Sequence, residues 1–327
     1  MTKPFIYWKE SGKKEIFTIT NPVVKKIAEV KLDTEGFILA PFNKKQPSYF
    51  FEGIISECQN TNSLSTIHEL NSESIQLITT DYISLVKNGI EKIKNGVFQK
   101  VVLARSFSQN LPKNFELNNY FKKLCKVYNN AFIYCFCLNN EIWIGASPEV
   151  FLKKESDLLL TYALAGTMPA TEGIAFGEKE RYEQQFVKTY ITNLLKENDA
   201  EEIIISKVSE INTGNLKHLI NKINFKTTDP LAIINKLHPT PAVCGTPLKA
   251  ATNFISQNEN LNREFYSGFL GPVYKKQDFN FWVNLRCAKI NDSQITFFAG
   301  AGIVKDSSPE NEFQETERKM ETLKKWL

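Results

Sequence analysis

From Asp81 onward the apolar positions Ile83, Val86, Ile90 and Ile93 recur at helical spacing, and Asn95-Gly96 supplies the stop expected at a helix C-terminus. The period then changes. Phe98 to Ala104, Phe132 to Leu138, Ile142 to Ala146, Val150 to Lys153 and Leu158 to Leu164 are short β-branched or aromatic runs, several separated by tight turns, and they predict an antiparallel sheet. A long helix is predicted from Glu178 to Glu197, with shorter ones near 214–222, 229–237 and 247–257. Strands return at Phe281 to Ala288 and Gln294 to Ala299, and a last helix starts at Ser308 with Pro309 at its first position. Clustered strands alternating with blocks of helix predict an α+β fold rather than a regular βαβ repeat. Residues 1–80 are irregular in pattern and carry no motif. They are read as an N-terminal part of the fold, ahead of a functional region at 81–327.

Two of the predicted helices carry carboxylates three residues apart on their inward side. In Glu180-Arg181-Tyr182-Glu183 the second carboxylate heads a series with Val187, Ile191 and Leu194, so Glu183 is expected to face the core side. In the C-terminal helix Glu312, Glu315 and Lys319 line up with Leu323 and Trp326, which predicts a charged half entering a cleft and an apolar half that packs. One such pair is ordinarily a solvated helix face; two inward pairs are less ordinary. Four converging anions repel unless a cation sits among them, and all-oxygen ligation without His or Cys suits a hard ion such as Mg²⁺. A lysine or arginine inside an apolar strand is costly to bury alone, so Lys100 and Arg286 stand either at strand ends in solvent or in a site. Glu149, Gly166-Thr167 and the Gly300-Ala301-Gly302 turn are further candidates, the last either a packing device or an anion cradle.

Composition narrows the partners. Among 327 residues, 42% apolar and 23% charged side chains are ordinary for a globular protein with a large core, and one large unit is favoured over two. Forty basic against 36 acidic residues leave +4, too little for a nucleic-acid or membrane footprint. The N-terminus lacks a signal-peptide core and no run of about 18 apolar residues follows, so a cytoplasmic protein is expected, read as a monomer. Six scattered cysteines are expected to be reduced, and three unclustered histidines offer no zinc site. No phosphate-binding glycine motif is present. The residues alone point to a metal-dependent α+β enzyme acting on an anionic small molecule.

Ten segments in order resemble the chorismate-utilising enzymes, the family of isochorismate, salicylate, anthranilate and aminodeoxychorismate synthases. They are FQKVVLAR (Phe98 to Arg105), GASPE (Gly145 to Glu149), LAGT (Leu164 to Thr167), EKERYE (Glu178 to Glu183), HLI from His218, HPTPA (His238 to Ala242), REFYSG (Arg263 to Gly268), NLRCA (Asn284 to Ala288), AGAGIV (Ala299 to Val304) and ENEFQET (Glu310 to Thr316). The resemblance implies two large antiparallel sheets packed as a sandwich with helices around them. It further implies that Glu183 and Glu315 ligate Mg²⁺ directly while Glu180 and Glu312 hold metal-bound waters. Mg²⁺ and the backbone of Gly166 and Thr167 would hold the ring carboxylate of chorismate. Arg286, Tyr266 and the Gly300 amide would hold the pyruvyl carboxylate, for which the planar guanidinium fork is suited. Lys319 is assigned to charge balance and His218 to orienting the substrate.

Within that family the branch turns on few positions. Lys100 stands where aminating members usually carry Gln, which makes water the expected nucleophile: Lys100 takes its proton as it attacks C2, and a protonated Glu149 gives one to the departing C4 hydroxyl. The expected product is isochorismate, for menaquinone or siderophore biosynthesis. Salicylate-forming members tend to carry Thr where this chain has Ala242, whereas Tyr266 points toward them. An aminating synthase subunit and a silent chorismate-binding relative are the other readings. Ala163, Gln184 and Cys244 depart from the usual pattern without touching a proposed ligand.

Overall fold

The structure, a computed structural model, describes residues 3–58, 61, 64, 79–170, 175–213, 216–291 and 293–327. The N-terminal stretch, patternless in sequence, forms six strands: β1 (Phe5–Lys9), β2 (Ile16–Ile19), β3 (Val23–Ile27), β4 (Gly36–Ala40), β5 (Ser48–Glu52) and β6 (Ile55–Glu57). Helix α1 (Thr79–Lys94) leads into β7 (Lys100–Asn110), and α2 (Leu117–Val127) into the meander β8 (Phe132–Leu138), β9 (Glu141–Ser147), β10 (Val150–Glu155) and β11 (Leu158–Pro169). After α3 (Glu178–Glu197) come β12 (Glu201–Ile205), β13 (Ser209–Thr213), β14 (Leu216–Lys226), α4 (Pro230–Leu237), β15 (Gly245–Thr246) and α5 (Leu248–Asn258). The chain closes with β16 (Phe269–Val273), β17 (Phe279–Val283), β18 (Cys287–Asn291), β19 (Gln294–Ile303) and α6 (Pro309–Lys324).

The strands form two sheets, ordered β15-β7-β19-β18-β9-β8-β1-β2-β6 and β12-β14-β11-β10-β17-β16-β4-β5-β3, with β13 added beside β14. The pairings are antiparallel, as for β7 with β19 and β11 with β14. Period-two alternation explains why apolar runs such as FIYCFCL can be buried on both faces. Phe132, Tyr134 and Phe136 point between the sheets, where they meet Phe37, Leu39 and Trp282 of the second sheet. Ile133, Cys135 and Cys137 point the other way, under α2 and α6. The second sheet buries its outer face against α3 and α4 through Val187, Ile191, Ile233 and Leu237. The result is a helix–sheet–sheet–helix sandwich with an aromatic interlayer, the α+β architecture anticipated. No described helix is long and apolar enough to cross a membrane.

Two expected elements differ. The helix expected at 214–222 is the strand β14, an inner strand paired with β11 on one side and with β12 and β13 on the other. Its true signal is the alternation of buried Asn221, Ile223 and Phe225 with more exposed Lys222, Asn224 and Lys226, which the adjacent pair Leu219-Ile220 obscures. The single strand expected over Phe281 to Ala288 is broken. β17 ends at Val283 in the second sheet and β18 starts at Cys287 in the first, so Asn284 to Arg286 carry the chain from one layer to the other. The Asn284 side chain fixes this crossing, accepting from Tyr134 Oη and donating to Phe265 O at 2.9 Å. Trp326 falls beyond the end of α6, where its indole donates to Tyr128 Oη at 3.0 Å.

Candidate active site

A second crossing lies beside the first and runs the opposite way: Ser147-Pro148-Glu149 passes from β9 in the first sheet to β10 in the second. Ser147 Oγ donates to Val283 O, and Val283 N donates to Glu149 O at 3.0 Å, so the two crossings brace each other. They form part of the wall of a cleft. Glu149 and Arg286, one from each crossing, both line it.

The facing wall comes from β7 and β19. Alternation along β7 turns Lys100 and Val102 into the cleft and Val101 and Leu103 into the core beneath α1. Lys100 is therefore 6% exposed, inside a site rather than at a solvated strand end. Gly302 pairs with Val102, and a Cβ on it would stand 3.0 Å from Lys100 Cε and 3.5 Å from Glu183 Oε1. The missing side chain is what lets the lysine stem and that carboxylate share the space. Gly300, two residues earlier on the same face, likewise leaves room for Tyr266 Oη, 3.0 Å from where its Cβ would be.

The remaining side chains arrive on helices and on the second sheet. Gly166 sits at a bulge in β11 with φ 70°, and a Cβ there would lie 2.7 Å from Glu180 O, so only glycine lets this strand meet the first turn of α3. Glu183 then reaches the cleft, whereas Glu180 Oε2 accepts from its own helix at Gly177 N, 3.0 Å away, as a cap. On α6, started by the Ser308 side chain and Pro309, Glu315 and Lys319 enter together, paired at 2.5 Å, and Lys319 Nζ also donates to Gly300 O at 2.7 Å. Glu312 is buried in the first turn of that helix, outside the cleft lining. His218 of β14 and Ala242 complete the wall. Thr167 pairs with His218 through its backbone, and its side chain falls outside the described residues.

Electrostatics follow from burial. The Glu149 carboxyl is 3% exposed, and desolvation pushes its pKa up to about 8 against the opposing pull of Lys100, Arg286 and Lys319. His218 is pushed well below the usual histidine value, first by burial and then by Arg286 and Lys319, and is held neutral. Tyr266 is pushed up to about 12, chiefly by burial. Arg286 and Lys319, with Lys100, set basic side chains around the cleft opposite Glu183 and Glu315, an arrangement suited to a small anion. Glu183 and Glu315 also fit a hard divalent cation: both are oxygen donors, they come from different helices, and they line one cleft. Glu315 is engaged by Lys319, and no three His, Cys, Asp or Glu side chains among the described residues are gathered as a metal cage.

Sequence reasoning included Gly302 with Gly300 but missed Ser267 of the lining, together with the supports behind it. Gly302 was legible, since period two puts it on the face of Gly300. The supports were not. Arg263 makes a two-pronged pair with Glu259, at 2.6 and 2.7 Å, and donates to Val102 O and Val243 O, tying β7 to the Ala242 segment. Arg105 stacks on Phe313 and pairs with Thr316 and Glu317, fixing α6 to β7. His238 is structural: one ring nitrogen lies 2.9 Å from Pro41 O.

A cleft between two antiparallel layers, lined by a buried acid, a buried lysine, a guanidinium and paired helix carboxylates, defines a class of protein. The chain belongs to the chorismate-binding enzymes, whose family profile matches residues 43–327. Among individual relatives, the isochorismate synthase MenF of Haemophilus influenzae is 32% identical over 72% of this chain and 57% of its own. The vibriobactin-specific isochorismate synthase of Vibrio cholerae is 26% identical over 88% of this chain and 78% of its own. The solved structure of MenF, the menaquinone-specific isochorismate synthase of Escherichia coli, superposes with a TM-score of 0.85 at 22% identity, covering 100% of this chain and 89% of that one.

Proposed function

We propose that this protein is a cytoplasmic isochorismate synthase that interconverts chorismate and isochorismate, supplying menaquinone or siderophore biosynthesis. The observation that carries the reading is Glu149, a carboxyl kept protonated near neutral pH in the same cleft as Lys100. Replacing a C4 hydroxyl by one at C2 needs one group to take a proton from water and another to give one to the departing hydroxyl. Lys100 Nζ takes the first proton and the Glu149 carboxyl gives the second. Arg286 and Tyr266 hold the pyruvyl carboxylate with the Gly300 amide, and the backbone at Gly166 and Thr167 receives the ring carboxylate. Neutral His218 orients the substrate without adding charge. Mg²⁺ held by Glu183 and Glu315, with Glu180 and Glu312 behind them, would supply the positive charge that binds and polarises the ring carboxylate.

Product chromatography after incubation with chorismate and Mg²⁺ tests the proposal. Isochorismate should form, equilibrate with chorismate, and disappear with excess chelator. Tyr266 favours a second reading, in which pyruvate is eliminated to give salicylate. Ala242 favours release, because a small side chain leaves the enolpyruvyl group less confined over the ring. Stoichiometric salicylate and pyruvate at neutral pH would replace the synthase reading by the lyase one, and an aminated product from ammonia would replace both.

A further inference from the structure

Ser267 lines the cleft next to Tyr266, is 1% exposed, and its hydroxyl finds no hydrogen-bond partner among the described residues. The Tyr266 phenol beside it feels its pull, which lowers the phenol's pKa, but the two hydroxyls do not meet in good hydrogen-bond geometry. A buried hydroxyl without a partner is a destabilising arrangement that folded proteins ordinarily avoid. The backbone adds to this. Ser267 has φ 63°, in the left-handed region that favours glycine, and it is held there by Ser267 N donating to Asn284 O and Asn284 N donating to Gly268 O, both at 2.8 Å. The next residue must be glycine, since a Cβ on Gly268 would lie 2.0 Å from Ala40 O. Across the same crossing, Arg286 also adopts a left-handed conformation, with φ 49°. Strain and an unsatisfied donor coincide at one wall of the cleft, a combination that persists where a ligand completes the site.

We propose that Ser267 contacts the substrate, its hydroxyl donating a hydrogen bond to an oxygen of the anion held by Arg286 and Tyr266. The two consecutive residues Tyr266 and Ser267 thus present paired hydroxyl donors beside one guanidinium, and Asn284 sets the register of both walls. The assignment rests on the chorismate reading above and adds a specificity element to it: a hydroxyl donor on a short side chain whose backbone is pinned at the crossing.

The test compares wild type with Ser267→Ala and Ser267→Gly in titrations with chorismate and Mg²⁺, by calorimetry and by steady-state kinetics. Alanine removes the hydroxyl and keeps the strain, whereas glycine removes both. Both variants should weaken binding and raise KM by roughly 3- to 10-fold, the range for one net hydrogen bond, with kcat within about twofold of wild type. Thermal midpoints without substrate should be equal to wild type or higher, because each variant deletes an unsatisfied buried group. Unchanged affinity in both folded variants, as expected if a water satisfies the hydroxyl, would overturn the assignment while leaving the chorismate reading intact. Weakened binding in the alanine variant alone would assign the effect to the backbone and overturn it as well. Wild-type protein that binds no chorismate would overturn the chorismate reading and this assignment with it.

Discussion

Replacing Glu149 by glutamine should make the protein more stable and nearly inactive, and the gain should depend on pH in a defined way. In the folded protein the carboxyl keeps its proton up to about pH 8, whereas in the unfolded chain it ionises near 4.5. Between those values unfolding releases a proton, so unfolding becomes easier as pH rises. The contribution of Glu149 to stability is fully present below 4.5 and is lost as pH climbs to 8. Each pH unit withdraws about 1.4 kcal/mol, which brings the full span to about 5 kcal/mol. Glutamine has nearly the same shape and no proton to lose, so Glu149→Gln should match wild type near pH 4.5 and exceed it by about 3 kcal/mol at pH 7 and about 5 at pH 8. Urea denaturation at a series of pH values measures the difference directly. The same variant cannot protonate a leaving hydroxyl, and kcat should fall by about 10² to 10⁴-fold. Stability curves that run parallel from pH 5 to 9 would refute the buried, protonated carboxyl.

Lys100→Ala should lower kcat by roughly 10² to 10⁴-fold with a smaller effect on KM, and a near-normal kcat in the chorismate assay would remove its role as base. Arg286→Lys keeps the charge but loses the fork, so KM for chorismate should rise more than kcat falls; an unchanged KM would count against the pyruvyl-carboxylate assignment. Arg263→Met strands Glu259 in the core and should cost about 3–5 kcal/mol in urea denaturation, against little loss if the pair is dispensable. Ala242→Thr should raise the salicylate fraction measured by chromatography while slowing turnover, and no change would show that this position does not set product choice.

How much could be read from the chain depended on whether the signal was local. α3 was legible from its 3.6-residue rhythm, and the start of α6 because Ser308 and Pro309 mark it within two positions. Glu183 and Glu315 were placed for the same reason. β1 to β6 were not legible: short strands such as Val23–Ile27 are largely exposed, and Gly36–Ala40 is buried throughout, so neither shows clean alternation. The crossing at Asn284 to Arg286 was hidden inside an apolar run, since what stops the strand is Tyr134, 150 residues away. Ser267 carried no sequence signal because its importance lies in a dihedral angle and a missing partner.

The strand order also dictates when the molecule can acquire its shape during synthesis. β1 pairs with β8 and β4 with β16, so the first-made strands wait for neighbours more than a hundred residues downstream. Until β16 has left the ribosome, one edge of β4, with its Phe37 and Leu39, is bare. Such long-range pairing gives high contact order and slow closure, and an exposed apolar edge invites wrong partners in the interval. Because β19 and α6 come last, a nascent chain lacking them has neither the Gly300 and Gly302 wall nor Glu315 and Lys319. No half-made version of this protein can bind its substrate early and be steadied by it.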